Sequence, residues 1–518
     1  MKYNKDNTKT HKISVLIGNG FDIQVLNHLG VPTNTTYASF YNFINWKYGN
    51  RIRDNLIVRK MEEDKNLEYK NWSDFENTIK EIVKNEYQYL KNIQKPEEIQ
   101  ESEEIKESEE IQESKDKWVK FKKNWIEFKD KVEIYIKESH IDSIQNKEDL
   151  SKFSIDVIKK GYEEVYGNVN QDEFWEDFKI SFEDFIEDFF NSWSSTKTKR
   201  REKAEGKIIG FLDGEYTRLL VKRYTPYLNQ LQEYFCDFLN TIVTSKVLVE
   251  LDELCKTTEK QKGGRKSNLP LDTLQSFEKD LADQNEYLEF GSEMTTSDRI
   301  DFTFFNFNYT PLFDNYINLA KENFEPTIYK SSKNNFYFEK YSRGLKSPQD
   351  MYTRLTTRIF HPHGYQHTPR SMLFGFDNLQ QVQTDCSEKT KTDRSVESIR
   401  YFLKPYWAEN DNKYKEYLDK SKLYIVFGHS IGESDKYWWK NIADSLKKNK
   451  SELIIYNYVY GKAEDTESKR DEIKKKFLRS AGLNPNSEQD IKERIFVVNF
   501  YPEKKRKAFS MSINKTKK

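Results

Sequence analysis

Cysteine is nearly missing from this chain: Cys236, Cys255 and Cys386 stand alone among 518 residues. An odd count without CxxC spacing argues against a disulfide framework and against a cysteine-based zinc site. Long hydrophobic runs are missing too. Hydrophobic residues make up only 36%, and no run approaches the roughly 20 apolar residues that a spanning helix needs. Excess charge of one sign is also absent, since Lys+Arg and Asp+Glu both number 85. That balance gives no broad electrostatic footprint for nucleic acid or membrane lipid, so neither is a favoured partner. The polar N-terminus carries an apolar stretch of about five residues, short of the roughly seven to fifteen of a signal-peptide core, and a cytoplasmic protein is expected.

What the chain has instead is aromatic: 35 Phe, 32 Tyr and 9 Trp, set among 33% charged residues. These rings can bury enough area to make a modest aromatic core wrapped in charged helices. The length suits two to three domain-sized units, or one core with large insertions.

The short β-rich run 13–17 stops at Gly18-Asn19-Gly20, the signature of a buried strand and a turn. Residues 37–46 read as a helix. Beyond about residue 50 the texture becomes helical. Trp118, Phe121, Trp125, Phe128, Val132 and Tyr135 recur at steps of 3 and 4, as do Phe174, Phe178, Phe182, Phe185 and Phe189. Such stripes are core or bundle seam. Residues 97–114 repeat EEIQES with a period of six, which matches no helical seam, and nine Glu against one Lys mark a solvated excursion. After about residue 298, short apolar runs return at 300–308, 358–360, 372–376, 423–427, 453–460 and 495–500, with helical segments such as 434–447 and 465–478 between them. The expected fold is therefore α/β: a discontinuous, Rossmann-like, mostly parallel sheet built from 1–50 and 298–503. A large α-helical domain, 51–297, is inserted into it, and the basic tail 504–518 is expected to be solvated.

Four polar clusters fall at strand ends, where open α/β sheets bind ligands. They are Gly18-Asn19-Gly20-Phe21-Asp22, the 306–310 segment with Asn308 and Thr310, His361-Pro362-His363-Gly364, and Gly428-His429-Ser430 with Asp435. Glycines between a strand and a helix allow amides to approach a phosphate. Here Ile23 replaces the last glycine of GxGxxG, and Asp22 places a carboxylate beside the supposed anion, so a plain dehydrogenase does not fit; Asp22 capping a helix is the plainer alternative. Gly428-His429-Ser430-Ile431-Gly432 matches the GxSxG elbow, but His429 is the last of seven histidines and no base follows the serine. Ser430 and Asp435 better suit ribose hydroxyls. His361, His363 and His367 lack further ligands, so no metal is expected, and a His-Gly at a strand end suits an acid/base or hydroxyl-orienting role. In Trp72-Ser73-Asp74-Phe75-Glu76, a capping box from Ser73 to Glu76 competes with Glu76 facing a cleft.

In this order the motifs resemble the AbiH family of bacteriophage abortive-infection proteins. They comprise GNGFD at 18–22, GVPT at 30–33 with Tyr37 and Phe40, WSDFE at 72–76, FNYT at 307–310, His363-Gly364, Gly375-Phe376-Asp377, and FGHS at 427–430 with Asp435 and Trp438. The match skips most of 80–295. More distantly the order is similar to the SIR2-like nucleotide-binding fold. That resemblance implies Asn308 and His363 as catalytic residues, one positioning water or ribose and the other near the ribose hydroxyls. It implies Gly18, Asn19, Gly20, Phe21, Asp22, Thr310, Gly428, Ser430 and Asp435 as nucleotide contacts, with Glu76, Asp377 and His361 in support. Thr310 in place of an Asp, and Asp22 in place of a small residue, depart from that pattern.

Three functions follow as expectations. The first is an abortive-infection effector that hydrolyses the N-glycosidic bond of NAD-type dinucleotides, with NAD or a related nucleotide as substrate and no permanently bound cofactor. The second is a nucleotide sensor without turnover. The third is a metal-dependent nuclease, for which Asp22, Glu76, Asp377 and Asp435 are dispersed candidates. The partners expected are a small-molecule nucleotide and a phage-derived trigger, with homo-oligomer formation left open.

Overall fold

The apolar run near the start of the chain forms β1 (Thr10–Ile17), buried along its second half. Five more strands join it in one sheet: β2 (Arg299–Asn306), β3 (Arg354–Phe360), β4 (Leu423–Phe427), β5 (Glu452–Tyr458) and β6 (Ile495–Phe500). All five pairings are parallel. The spatial order is β6-β5-β4-β1-β2-β3, the 3-2-1-4-5-6 order of doubly wound α/β sheets. This computed structural model describes residues 9–66, 74–91, 109–139, 141, 144–167, 173–194, 200–255, 259–260, 266–267, 269–292, 294–295, 298–319, 337–340, 349–352, 354–375, 402–404, 413–432, 435–459, 467–501 and 508–511. Most of the acidic repeat and Asp377 lie outside them.

Alternation along β1 shows why the sheet needs cover on both faces. Ile13, Val15 and Ile17 enter one apolar core, while Leu16 enters another. The first face is covered by α1 (Gly20–His28), α2 (Tyr37–Tyr48), α3 (Leu56–Asn66) and α4 (Phe75–Lys91). The second is covered by two helices late in the chain, Lys436–Asn449 and Glu467–Ser480, whose Trp438, Trp439, Ile442, Phe477 and Leu478 are buried.

The aromatic stripes are core, as their spacing predicts. In α5 (Glu109–Glu138), Trp125, Phe128 and Val132 are fully buried. They pack with α6 (Lys147–Tyr166), with Phe178, Phe182, Phe185 and Phe189 of α7 (Glu173–Ser194), and with the first part of α8 (Arg200–Ile242). Helix α8 has 43 residues, a rod about 65 Å long. Its early Phe211 and Tyr216 belong to this helical core, and its later Leu220, Phe235 and Phe238 to the sheet core. The apolar side chains of the inserted stretch thus divide between two cores, and one continuous helix joins them.

Two expectations need correcting. Residues 372–374 are not strand: Met372 and Phe374 are buried and Leu373 N donates to His363 O (2.8 Å), so the segment is a packed loop beneath the strand ends. Nor is the tail wholly solvated. Ala508, Phe509 and Met511 are buried in the sheet core. The Phe509 ring stacks on Phe427 at 4.4 Å, and its backbone bonds Thr273 Oγ1 and Gln24 Nε2. Sequence reading weighed the lysines around it and missed the apolar residues they flank. If this contact is part of the core, Phe509→Ala should lower stability by about 3–5 kcal/mol, read as a fall in the urea midpoint. An unchanged midpoint would refute the contact.

Candidate functional site

The sequence clusters meet where the strand order reverses, outside the carboxyl ends of β1 and β4. Here backbone crosses backbone. Gly18 N donates to Phe427 O (2.9 Å), Gly20 N to Gly428 O (2.8 Å) and Phe21 N to Gly18 O (3.0 Å). A Cβ at Gly20 would lie 2.6 Å from the Gly428 Cα, and Gly428 itself has φ +68°. Glycine is required because no side chain fits between the two loops. The same contacts occupy the Gly18, Gly20 and Phe21 amides, which were expected to face a phosphate. Asn19 Nδ2 is tied to Thr35 O (3.0 Å). The Phe21 ring is buried, edge-on to Phe313 and Tyr316.

Two polar groups flank this crossing. In the first, Asn308 Nδ2 donates to Asp22 Oδ1 (2.9 Å) and Gly18 O (3.2 Å), and Thr310 Oγ1 donates to Asp22 Oδ2 (2.6 Å). Asp22 therefore does not cap α1; it clamps the β2 loop from inside the first helical turn. Burial raises its carboxyl to about 7, and the Thr310 hydroxyl opposes that shift. Asp314, on the helix Leu312–Asn318, bridges Asn306 Nδ2 (3.1 Å) and His361 Nε2 (3.0 Å).

The second group centres on Asp435, at the start of the helix Lys436–Asn449, and is built of buried charges. His363 Nε2 lies 3.3 Å from Asp435 Oδ1, and His429 Nε2 lies 3.8 Å from Oδ2. Lys404 Nζ donates to Glu76 Oε2 (2.9 Å), both residues being buried. Burial alone would raise the Asp435 carboxyl, yet Lys404, His363 and His429 hold it well below the usual carboxylate range. Desolvation pushes the His429 imidazole down to about 4 and lowers His363 as well, with Lys404 adding to the effect. Burial lifts Glu76 to about 7 against the pull of Lys404. At neutral pH the group thus presents neutral imidazoles beside an ionised Asp435, which suits proton abstraction or stabilisation of a developing positive charge.

Phe307 separates the two groups. Its ring meets His363 at 5.0 Å and His429 at 4.9 Å, both edge-on, while the next side chain, Asn308, faces Asp22. Asn308 and His363 are therefore neighbours in different groups. Thr310 and His361 belong with Asn308; Glu76 and Asp435 belong with His363. Ser430 is exposed and its carbonyl accepts from Lys476 Nζ (2.7 Å), so its side chain is not part of either group. Asp74 Oδ1 accepts from Asn77 N (3.1 Å), so Asp74 caps α4 and Glu76 is left for Lys404. The His-Gly landmark has a steric cause: a Cβ at Gly364 (φ +96°) would lie 2.0 Å from Ser371 O. His367 is exposed, while His361 pairs with Asp314 and His363 with Asp435.

Lys404 was not foreseen. Its signal was available as a lone charge within the aromatic run Tyr401-Phe402-Leu403-Lys404-Pro405-Tyr406-Trp407, where a lysine that is not solvated must be paired. His429 was dismissed as a triad base, and its place beside Asp435 was overlooked.

The fold and site define a doubly wound α/β protein with a buried polar centre at the carboxyl ends of its strands. The chain belongs to the bacteriophage abortive infection AbiH family, whose family model matches residues 15–458. No curated protein and no solved structure matches it. Among the described residues, no helix is long and apolar enough to cross a membrane, and no three His, Cys, Asp or Glu side chains are grouped to hold a metal ion.

The raised Asp22 carboxyl has a measurable consequence. The folded chain keeps a proton that an unfolded aspartate releases near about 3.9. The stability this confers is complete below about pH 4 and is lost as pH rises through about 7. Asp22→Asn removes the titration, so its urea midpoint should shift upward relative to wild type between about pH 5 and about pH 8. A difference independent of pH would contradict the assignment.

Proposed function

We propose that this AbiH protein is an anti-phage effector that binds an NAD-type dinucleotide in a SIR2-like manner and hydrolyses its N-glycosidic bond. The observation that carries the reading is the His363–Asp435 pair, 3.3 Å apart and buried at the point where the strand order reverses. Nicotinamide in NAD is already a cationic leaving group, so the site has two tasks. Neutral His363 takes a proton from water as the water oxygen bonds to the ribose anomeric carbon. The carbon–nitrogen bond breaks with its electron pair passing to the nicotinamide nitrogen, while the Asp435 charge favours the oxocarbenium-like transition state. Asn308, with its amide hydrogens on Asp22 and Gly18 O, serves by holding the β2 loop against β1. Because the Gly18 and Gly20 amides are already bonded to backbone carbonyls, the proposed dinucleotide is anchored mainly by its sugar.

A second reading, a nucleotide sensor without turnover, draws on the closed bonding around Asp22, where Asn308 and Thr310 both donate to its carboxylate. The nuclease reading gains nothing from the described geometry.

Purified full-length protein incubated with NAD and phage lysate should release nicotinamide and ADP-ribose, followed by chromatography. His363→Ala should slow this by about 100-fold or more. NAD left intact while calorimetry shows it bound would favour the sensor, and wild-type rates in His363→Ala would remove the catalytic role.

A further inference from the structure

The centre around Asp435 leaves two polar atoms without partners. Glu76 Oε2 accepts from Lys404, but Oε1 is buried and has no hydrogen-bond partner, and neither does His429 Nδ1. The two residues arrive independently, Glu76 from the start of α4 and His429 from the loop after β4. A buried acceptor without a donor is costly and rare, and more so for a carboxylate oxygen than for a neutral one. Helix capping does not explain Glu76, because Asp74 caps α4.

The surrounding charges restrict what could supply the missing donors. A cation would meet Lys404, whose Nζ is already 2.9 Å from Glu76. An anion would meet Asp435 and the free oxygen of Glu76. An uncharged ligand with adjacent hydroxyl donors meets neither objection. Each hydroxyl hydrogen can be given to one acceptor, and a carboxylate accepting from a hydroxyl makes the stronger, charge-assisted kind of bond.

We propose that Glu76 Oε1 and His429 Nδ1 accept hydrogen bonds from the vicinal hydroxyls of the ligand's terminal ribose, which makes Glu76 the residue that selects a ribose over its deoxy counterpart. This rests on the nucleotide reading of the same site and adds to it the sugar contact and the residue that makes it.

The test is calorimetry on the full chain with ADP-ribose and with an analogue whose terminal sugar lacks both vicinal hydroxyls. Wild type should bind ADP-ribose at least about tenfold more tightly than the analogue, the scale of a hydrogen bond to a charged group. Glu76→Ala should lose most of that preference. Equal affinities on wild type overturn the inference and leave the nucleotide reading standing. An undiminished preference in Glu76→Ala overturns the role of Glu76. If neither compound binds wild type, the nucleotide reading fails and this inference with it. Circular dichroism checks that the variant folds, and the wild-type comparison decides the matter if it does not.

Discussion

The polar centre depends on a crossing of two loops that contains no side chain. At Gly18, Gly20 and Gly428 the turns after β1 and β4 touch backbone to backbone, joined by amides that donate to Phe427 O and Gly428 O. Parts of the chain some four hundred positions apart are thereby fixed within a hydrogen bond of each other. Everything polar nearby is placed by that contact. It sends Phe21 into the core, sets Asp22 under the first turn of α1, and leads the β4 loop on to His429. A methyl group at any of the three glycines would part the loops, because the atoms it would meet are backbone and cannot rotate away.

The two groups flanking the crossing differ in kind. Around Asp22 the bonding is closed: a carboxylate accepts from an amide and a hydroxyl, and the β2 loop is clamped as a result. Around Asp435 it is open. Carboxylates, imidazoles and an ammonium crowd together with buried atoms still unpartnered. The first arrangement is what a structural latch requires. The second leaves acceptors unsatisfied in a buried, charged setting. Their separation by a single residue, Phe307, lets one loop hold itself in place with Asn308 while it packs the two histidines against an aromatic ring.

Much of this could be read from the residues. Short β-branched and aromatic runs gave five of the six strands of the sheet directly and part of the sixth, since parallel strands buried on both faces are continuous apolar runs. The stripes of Trp125 and Phe182 announced a helical core by their spacing. Glycines, histidines and acids at strand ends marked segments that the fold brings close together. What resisted reading was determined by distant partners. Lys404 sits in no motif and is significant only beside Glu76. Phe509 was hidden by the lysines around it. Asn308 and His363 looked like a pair because both follow strands, and only the directions of successive side chains after β2 separate them. Residues 372–374 had strand composition, yet Leu373 N bonds His363 O and Met372 and Phe374 are buried as a loop.

The centre at Asp435 is also hard to explain as a device for stability. Burying a lysine, two carboxylates and two imidazoles carries a desolvation cost that mutual attraction offsets only with good geometry, and apolar residues of similar size often do as well or better. Nearby, Ile431 holds φ at +50°, a conformation a β-branched residue adopts only under constraint. One such feature could be an accident of packing. Two within the same few residues, at the strand-order reversal of a doubly wound sheet, break local rules where such folds place their chemistry. A ligand that supplied donors to Glu76 Oε1 and His429 Nδ1 would offset part of that desolvation cost, and its binding would be coupled to the stability of the sheet on which the group is built.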